Sequence, residues 1–572
     1  MTATAPSPTT STTGDTPPLK RHVGVVGLLF ASVGSIIGSG WLFGALDASV
    51  TAGPAAIISW ALGGLMILMI ALVYAELGTM FPLSGGVVRY PHLSFGSFAS
   101  YTSGWITWVA VATTAPIEVE AALQYGTKYA PFTAEHCVSA CGSDAPELVH
   151  TLTALGYGVA VVLMAVFVVV NYYGIRWFAR INNVLVWWKI AVILLVIVAF
   201  LVAAFHGSNF TSQGFKPSGW HGIFTAISTS GVVFSYLGFR QGIELAGETD
   251  NPRRNVPIAV VGSVLITGLI YIALQVAFIG ALDPGLLDKG WASLSFENDF
   301  GPLAALATLL GLGWLAVVLY ADAIVSPGDT GLIYTTITSR ISYAMARNGN
   351  APQSLAKVTD RGVPMVSLLV TFVVGLIVFL PFPSWQQLVG FITSATVLSF
   401  ASGPLVLAAL RKQLPDEPRP FKVPGGHVIP LLAFFCSNLI IYWSGWLVNW
   451  KLFVAVGLGL VLLAVFHATG RVTAPRLDFK AGAAWILPWL GGLAVISYLG
   501  DFPDQADGAG NRGLLDFGTS TIVIALFSAA IYAIALATRL SDEAAHEHIE
   551  LSRTEAELED EELSDHHAPR KK

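Results

Sequence analysis

Apolar runs of about twenty residues recur along almost the whole chain, from Val23 to Leu540, and each is long enough to cross a bilayer as a helix. In hydrocarbon every backbone N–H and C=O needs a partner, so runs of this length specify helices. They lack the alternation over about ten residues that marks the strands of a transmembrane barrel. Composition agrees: 54% of the 572 residues are hydrophobic and only 12% are charged, where soluble domains carry about 25%. The expected fold class is an all-α integral membrane protein, with the lipid bilayer as its solvent.

Fourteen spans are expected, centred near residues 35, 67, 111, 160, 194, 233, 268, 326, 372, 398, 438, 460, 490 and 527. Pro302 to Gly313 reads as a short external helix ahead of a long span from Trp314 to Ala346. With the N-terminus inside, 23 of the basic residues fall in inner loops and tails and five fall outside, Lys128, Lys216, Lys289, Lys451 and Arg512. Lys189 and Arg240 lie within spans. This asymmetry predicts an even number of crossings and two cytoplasmic termini in a cell membrane. Residues 1–21, rich in Thr, Ser and Pro, are expected to form a disordered tail too polar for a signal peptide. Residues 541–572, dense in Glu and Asp, read as a charged tail, either a solvated helix or disordered. Cys137 and Cys141 share a polar loop, as a disulfide or as two thiols, and Cys436 lies in an apolar run.

Two spans carry interruptions. The first contains GSIIGSG, Gly34 to Gly40, whose glycines each cost up to about 1 kcal/mol against alanine in a helix. Gly34 and Gly38 make a GxxxG pair, which lets helices approach closely, and the same stretch also reads as an unwound segment where a ligand supplies the missing partners. The sixth span, GVVFSYLGFRQGIELAG, Gly231 to Gly247, is interrupted by Gly238 and Gly242. Broken spans five apart run in opposite directions. That predicts an inverted repeat, with residues 22–206 as spans one to five, 220–412 as spans six to ten, and a site between the two breaks. Residues 428–540 then hold four accessory spans. N–H groups at Ile37, Gly38, Ser39 and Gly40 suit a carboxylate. Carbonyls near Phe234, Ser235 and Leu237 suit an ammonium. Phe234, Tyr236 and Phe239 form an aromatic wall to the site, or simply pack.

GSIIGSGWLFG (Gly34 to Gly44), PLSGGVVRY (Pro82 to Tyr90), GFRQGIELAGETDNPRRNVPIA (Gly238 to Ala259) and SPGDTGLIYTTITSRISYAMARNGNAP (Ser326 to Pro352) resemble the signature segments of the amino acid–polyamine–organocation (APC) superfamily of permeases. The resemblance covers spans one to ten. It implies the five-plus-five inverted-repeat fold with discontinuous first and sixth helices, and secondary transport of amino acids or amines. It also implies that the first break offers N–H groups to a substrate carboxylate and that the sixth span offers carbonyls to its amino group.

A charge at the bilayer centre costs about 2.5 kcal/mol or more, so each one there is a candidate for function. Arg240, in GFRQG, departs from the acidic or neutral residue that many members of the superfamily carry. A guanidinium there can hold a second carboxylate, with Tyr236 beside it, or can pair with Glu244 one turn away. In this respect the chain is most similar to the aspartate:proton symporter type. Lys189, in WWKIA of the fifth span, reads as a proton site or as a snorkelling lysine. By resemblance it contacts carbonyls of the first break near Gly34 and Ser35. Glu118 and Glu120 lie two apart on different faces of the third span, and Glu118 is the one expected to face the cavity and accept a proton. Asp322 is a further candidate. Glu76 reads as a structural contact to the cytoplasmic loop, and Asp329 as a local support for the backbone around Pro327.

The chain carries no HExxH, GxSxG or P-loop pattern and no close Cys/His set, so no catalytic residue, metal site or cofactor is expected, and nothing points to nucleic acid. The partners expected are an amino acid, protons as coupling ion and lipid. The expected activity is proton-coupled uptake of aspartate or glutamate by alternating access. The alternatives are an exchanger of neutral or other amino acids and a sensor that binds without transporting. Topology is testable directly: a fluorescent protein fused after Lys572 is expected to fluoresce in a bacterial host and a periplasm-active phosphatase fused there to stay inactive, and the reverse result would invert the assigned orientation.

Overall fold

The computed structural model describes residues 23–83, 85–139, 147–173, 175–296, 300–347, 351–359, 363–470, 477–502 and 511–552. The expected tail at residues 1–21 and the segment 553–572 lie outside them. Among the described residues, ten helical stretches are long and apolar enough to cross a membrane, or eleven when the bent pair Gly219–Thr229 and Phe234–Glu244 counts as one. Gly40–Met80 joins the second part of the first span, Gly40–Ala52, to the second span across a turn at Gly53, and Gly86–Gly126 is one kinked span. Three shorter apolar helices, Val25–Ile36, Met365–Val378 and Val428–Trp443, account for the remaining expected positions. The short helix Pro302–Leu309 precedes the long one, Gly313–Arg347, as expected.

Outside the helices, β1 (Thr133–Ser139) and β2 (Glu147–Leu152) pair antiparallel, from Thr133 opposite Leu152 to Ser139 opposite Glu147. The hairpin is held to the loop before the tenth span, where the Leu152 N–H donates to Pro383 O at 3.0 Å. Cys137 is disulfide-bonded. Cys141 lies outside the described residues.

The first span is helical over Val25–Ile36 and again from Gly40 to Ala52, so the opening is confined to residues 37–39. Gly34 remains helical, and a Cβ there would stand 2.5 Å from Val186 Cγ2 of the fifth span. Close packing and an unwound segment thus both occur in GSIIGSG, at different glycines. In the sixth span the opening lies earlier than the glycine pattern indicates. The helix Gly219–Thr229 ends, Gly231 takes φ +83, and the chain resumes as a 3-10 helix over Phe234–Arg240 with its axis bent by 44°. Phe234, Ser235, Leu237 and Arg240 therefore follow the break and do not form it.

Gly238 and Gly242 serve a different purpose. A Cβ on Gly238 would stand 2.3 Å from the Ile36 amide nitrogen and the Ser35 carbonyl carbon, and one on Gly242 would stand 2.8 Å from Ser32 Oγ. The inner halves of the first and sixth spans lie backbone to backbone there. Their far ends are tied as well: the Val23 N–H donates to Glu248 O at 3.2 Å, and the Asp250 N–H and Thr249 Oγ1 donate to Val23 O at 3.2 and 2.6 Å. Glu76 accepts from Arg411 Nε at 3.1 Å and from the Val423 N–H at 2.7 Å, with Arg419 Nε 3.6 Å away, a structural contact to the loop after the tenth span. The C-terminal tail is not wholly solvated. Residues 542–552 are helical, Ala545 and Ile549 are buried, and His548 Nδ1 lies 2.8 Å from His92 Nε2.

Because the atoms facing Gly238 belong to backbone, they cannot rotate away from an added methyl. Gly238→Ala is expected to cost about 1–3 kcal/mol, the usual range for overpacking, and to lower the melting temperature of the purified protein and its uptake together. Unchanged melting would show that the two helices can separate freely at this point.

Candidate functional site

Between the two breaks lies a small cavity, about 20 Å³ by the space open to the centre of a water molecule, so it holds about one water as it stands. Five spans line it: Ser35, Ile36 and Gly38 from the first; Thr114 and Glu118 from the third; Phe234, Leu237 and Gly238 from the sixth; Thr330 and Tyr334 from the eighth; and Ile392 and Thr396 from the tenth. One wall is backbone and small polar groups and the other is apolar, which suits a small solute with a charged end.

The first break holds a carboxylate already. The Ser39 N–H donates to Glu118 Oε2 at 2.9 Å, and Glu118 Oε1 packs so close to Gly38 that a Cβ there would stand 2.7 Å away. Gly38 is small because this carboxylate needs the space. The neighbouring N–H groups are turned back on the chain, Ile37 donating to Val33 O at 3.0 Å and Gly38 to Ile36 O at 3.1 Å. Of the four amides expected to face a solute carboxylate, Ser39 is the one seen binding a carboxylate, and the helix that starts at Gly40 presents its N-terminal end to the same place.

Lys189 is buried, and its ammonium is held on three sides: by Gly34 O at 3.0 Å, by Thr330 Oγ1 at 3.1 Å and by Asp329 Oδ2 at 2.7 Å. Snorkelling is excluded by this burial. Asp329 does more than support the local backbone, since it supplies the countercharge that makes a buried ammonium tolerable. On the adjacent turn Trp188 Nε1 and Ser326 Oγ both donate to Asp322 Oδ1 at 2.8 Å, which places Asp322 beside this pair and away from the cavity lining.

Trp385 closes the other end. Its Nε1 donates to Ser39 Oγ at 2.9 Å, and its ring lies 4.7 Å from Phe43 and edge-on to Phe234 at 6.1 Å. Trp385, Thr330, Tyr334 and Thr396 were not singled out in the sequence. Thr330 and Tyr334 fall within the signature segment Ser326 to Pro352, whereas Trp385 and Thr396 sit in a helix with no such mark, and only the pairing of distant spans brings all four together. Ser384, which caps the tenth helix by accepting from the Gln387 N–H at 3.3 Å, is the one local signal near Trp385.

A family model for amino acid permeases matches residues 23–486, most of the chain and all of the site. The chain belongs to the amino acid permease family. It is 38% identical to the glutamate/serine transporter AimA of Bacillus subtilis over 91% of this chain and 94% of that one. It is 37% identical to the aspartate–proton symporter of the same organism over 90% and 95%, and 28% identical to the branched-chain amino acid permease BcaP over 78% and 93%. The five-plus-five transporter fold and the multi-pass membrane location go with that membership, as do the amino acid substrate and the transporting, non-enzymatic role.

In this permease the remaining expected site residues are dispersed. Ser235 Oγ folds back onto Gly231 O at 2.7 Å, while a Cβ on Gly40 would meet that hydroxyl at 2.2 Å, so Ser235 seals the joint between the breaks. Tyr236 points to the second and seventh spans, donating its hydroxyl to Trp60 O at 3.1 Å and lying edge-on to Tyr271 at 5.6 Å. Arg240 is fully buried behind the lining residues, with Nη2 3.2 Å from Glu244 Oε1 and its guanidinium 5.8 Å from the centre of the Phe400 ring. Its Nε and Nη1 have no hydrogen-bond partner.

The permease's ion pair gives a clean test. Removing one member strands a buried charge, so Lys189→Met is expected to cost about 3–5 kcal/mol, whereas Lys189→Met with Asp329→Leu recovers most of it. Thermal melting of the two variants measures this, and equal losses in both would show that the pair is not the source of the penalty.

Proposed function

We propose that this permease takes up an acidic amino acid, aspartate or glutamate, together with a proton, by alternating access about the cavity between the broken spans. The observation that carries the reading is the Glu118 carboxylate on the Ser39 N–H, 2.9 Å away. One amide cannot serve two carboxylates, and two carboxylates side by side repel. The α-carboxylate of the solute therefore takes Ser39 only as Glu118 leaves, and Glu118 leaves the amide at least cost when it carries a proton. Entry of the solute and protonation of Glu118 become one event, with Lys189 fixing the inner edge of the break through Gly34 O.

The solute's amino group then faces the sixth span at Phe234 and Leu237. Its side-chain carboxylate is taken by Arg240, whose Nη1 has no partner among the described residues and forms the end-on fork with Nη2 once Glu244 gives way. Reaching them requires the lining around Leu237 and Gly238 to part, which fits a substrate-bound state more open than the present one. The names of the two nearest-matching relatives reported above, a glutamate/serine transporter and an aspartate–proton symporter, agree with an acidic solute and with protons. In this reading residues 22–206 and 220–412 are the two repeats, residues 428–540 are accessory, and both termini are cytoplasmic. Exchange of a neutral amino acid is the second reading. It is favoured by the pairing of Arg240 with Glu244 and by its place behind the lining.

Reconstituted vesicles decide between them. An imposed inward proton gradient is expected to drive accumulation of labelled aspartate or glutamate. Arg240→Ala is expected to weaken uptake of both by tenfold or more, equivalent to about 1.4 kcal/mol, while leaving serine uptake less affected. Glu118→Gln is expected to abolish proton-driven accumulation but to retain counterflow in solute-loaded vesicles. Aspartate uptake intact in Arg240→Ala removes the acidic-side-chain assignment, and binding without any vesicle uptake identifies a sensor.

A further inference from the structure

Glu120 stands two residues beyond Glu118 on the same helix and faces away from the cavity. It is 2% exposed, and neither carboxyl oxygen has a hydrogen-bond partner. One turn further on, Gln124 is 4% exposed, and its Oε1 is also without a donor. Positions i and i+4 share a helix face, so three acceptor oxygens without partners are gathered on one strip of the third span, whose one donor, the NH2 of Gln124 itself, is neutral and does not offset a buried charge.

The surroundings offer no remedy. The packed cluster beside this part of the helix is apolar, with Val119, Leu123, Met164 and Phe379 among its members. Tyr157 of the fourth span is the titratable group close enough to feel the charge of Glu120, and its hydroxyl is already donated to Phe379 O at 3.2 Å. Glu118, on another face, has its own partner in Ser39. An ionised carboxylate so placed would forfeit several kcal/mol of hydration with nothing in return. A metal ion would need more oxygens than two side chains bring.

The geometry points to a bound proton: Glu120 is a neutral carboxylic acid whose O–H donates to Gln124 Oε1, a proton site separate from the one that moves with the solute. A single hydrogen supplies the donor that Gln124 lacks, and it turns a buried charge into a buried hydrogen bond. Glu118 and Glu120 then divide the work, Glu118 exchanging its proton at the break and Glu120 keeping its own. The assignment rests on the packing around the third span and holds whichever amino acid is carried, so failure of proton-driven uptake would not touch it.

Infrared spectroscopy of the full-length protein in lipid tests it through the C=O stretch of a protonated carboxyl. The wild-type protein is expected to show such a band, sensitive to H2O–D2O exchange and still present when the medium is taken from mildly acid to mildly alkaline. Glu120→Gln should remove that band. Gln124→Leu should move it to higher wavenumber, because the acid loses its acceptor. A wild-type protein with no carboxylic-acid band surviving at alkaline pH overturns the proposal whether or not the variants fold. A band that Glu120→Gln leaves intact, or that Gln124→Leu does not shift, overturns it too.

Discussion

A backbone amide opened inside a membrane has no water to turn to, and the first span of this permease opens three residues there. The Ile37 and Gly38 N–H groups turn back on the chain, and three other groups at the opening are each met by a side chain from a different helix: Glu118 of the third span on the Ser39 N–H, Lys189 of the fifth on Gly34 O, and Trp385 of the tenth on Ser39 Oγ. These partners converge because the break demands them. The same demand makes the site responsive, since any solute that offers a carboxylate competes for a group the protein itself is already using.

Charge follows from the same constraint. Lys189 would be intolerable in hydrocarbon by itself, and Asp329 at 2.7 Å makes it a dipole. Arg240 is matched by Glu244 in the same way at 3.2 Å. Each pair joins or stiffens a different part of the frame, Lys189 linking the fifth span to the eighth and to the first break, Arg240 lying along the sixth span. With both cations committed, Glu118 has an amide and a cavity but no counter-ion of its own. In the proposed cycle it is therefore the group that exchanges its proton as the solute enters.

Movement needs rigid pieces as well as a soft centre. The inner halves of the first and sixth spans touch backbone to backbone at Gly238 and are stitched at Val23 to residues 248–250. The other halves, Gly40–Ala52 and the helix ending at Thr229, meet where Thr51 Oγ1 lies 2.9 Å from Ser230 Oγ. In the proposed alternating-access cycle the breaks at residues 37–39 and 230–233 are the places where a rocking motion would be absorbed. Glu76, clamped by Arg411 and Arg419, fixes the second span to the end of the tenth outside that moving unit.

Much of this was legible in the chain. Bilayer-length apolar runs determine helices because no other structure satisfies a backbone in lipid, and a helix lies at each expected position, ten or eleven of them long and apolar enough to cross a membrane among the described residues. The glycines and serines of Gly34 to Gly40 marked the first break because a helix tolerates them poorly, and a lone lysine in WWKIA marked a buried charge that needs partners because hydrocarbon does not forgive one. The sixth span was read less well. Gly238 and Gly242 looked like the break, yet a glycine that lets two backbones touch and a glycine that opens a helix are the same letter; only the opposing helix tells them apart. Asp329 as the partner of Lys189, Trp385 as the cover over Ser39, and Tyr236 turned toward Trp60 were likewise decided by tertiary structure. Each depends on which of many similar apolar helices lies next to which, and in a membrane, where one greasy face resembles another, hydropathy carries no record of that choice.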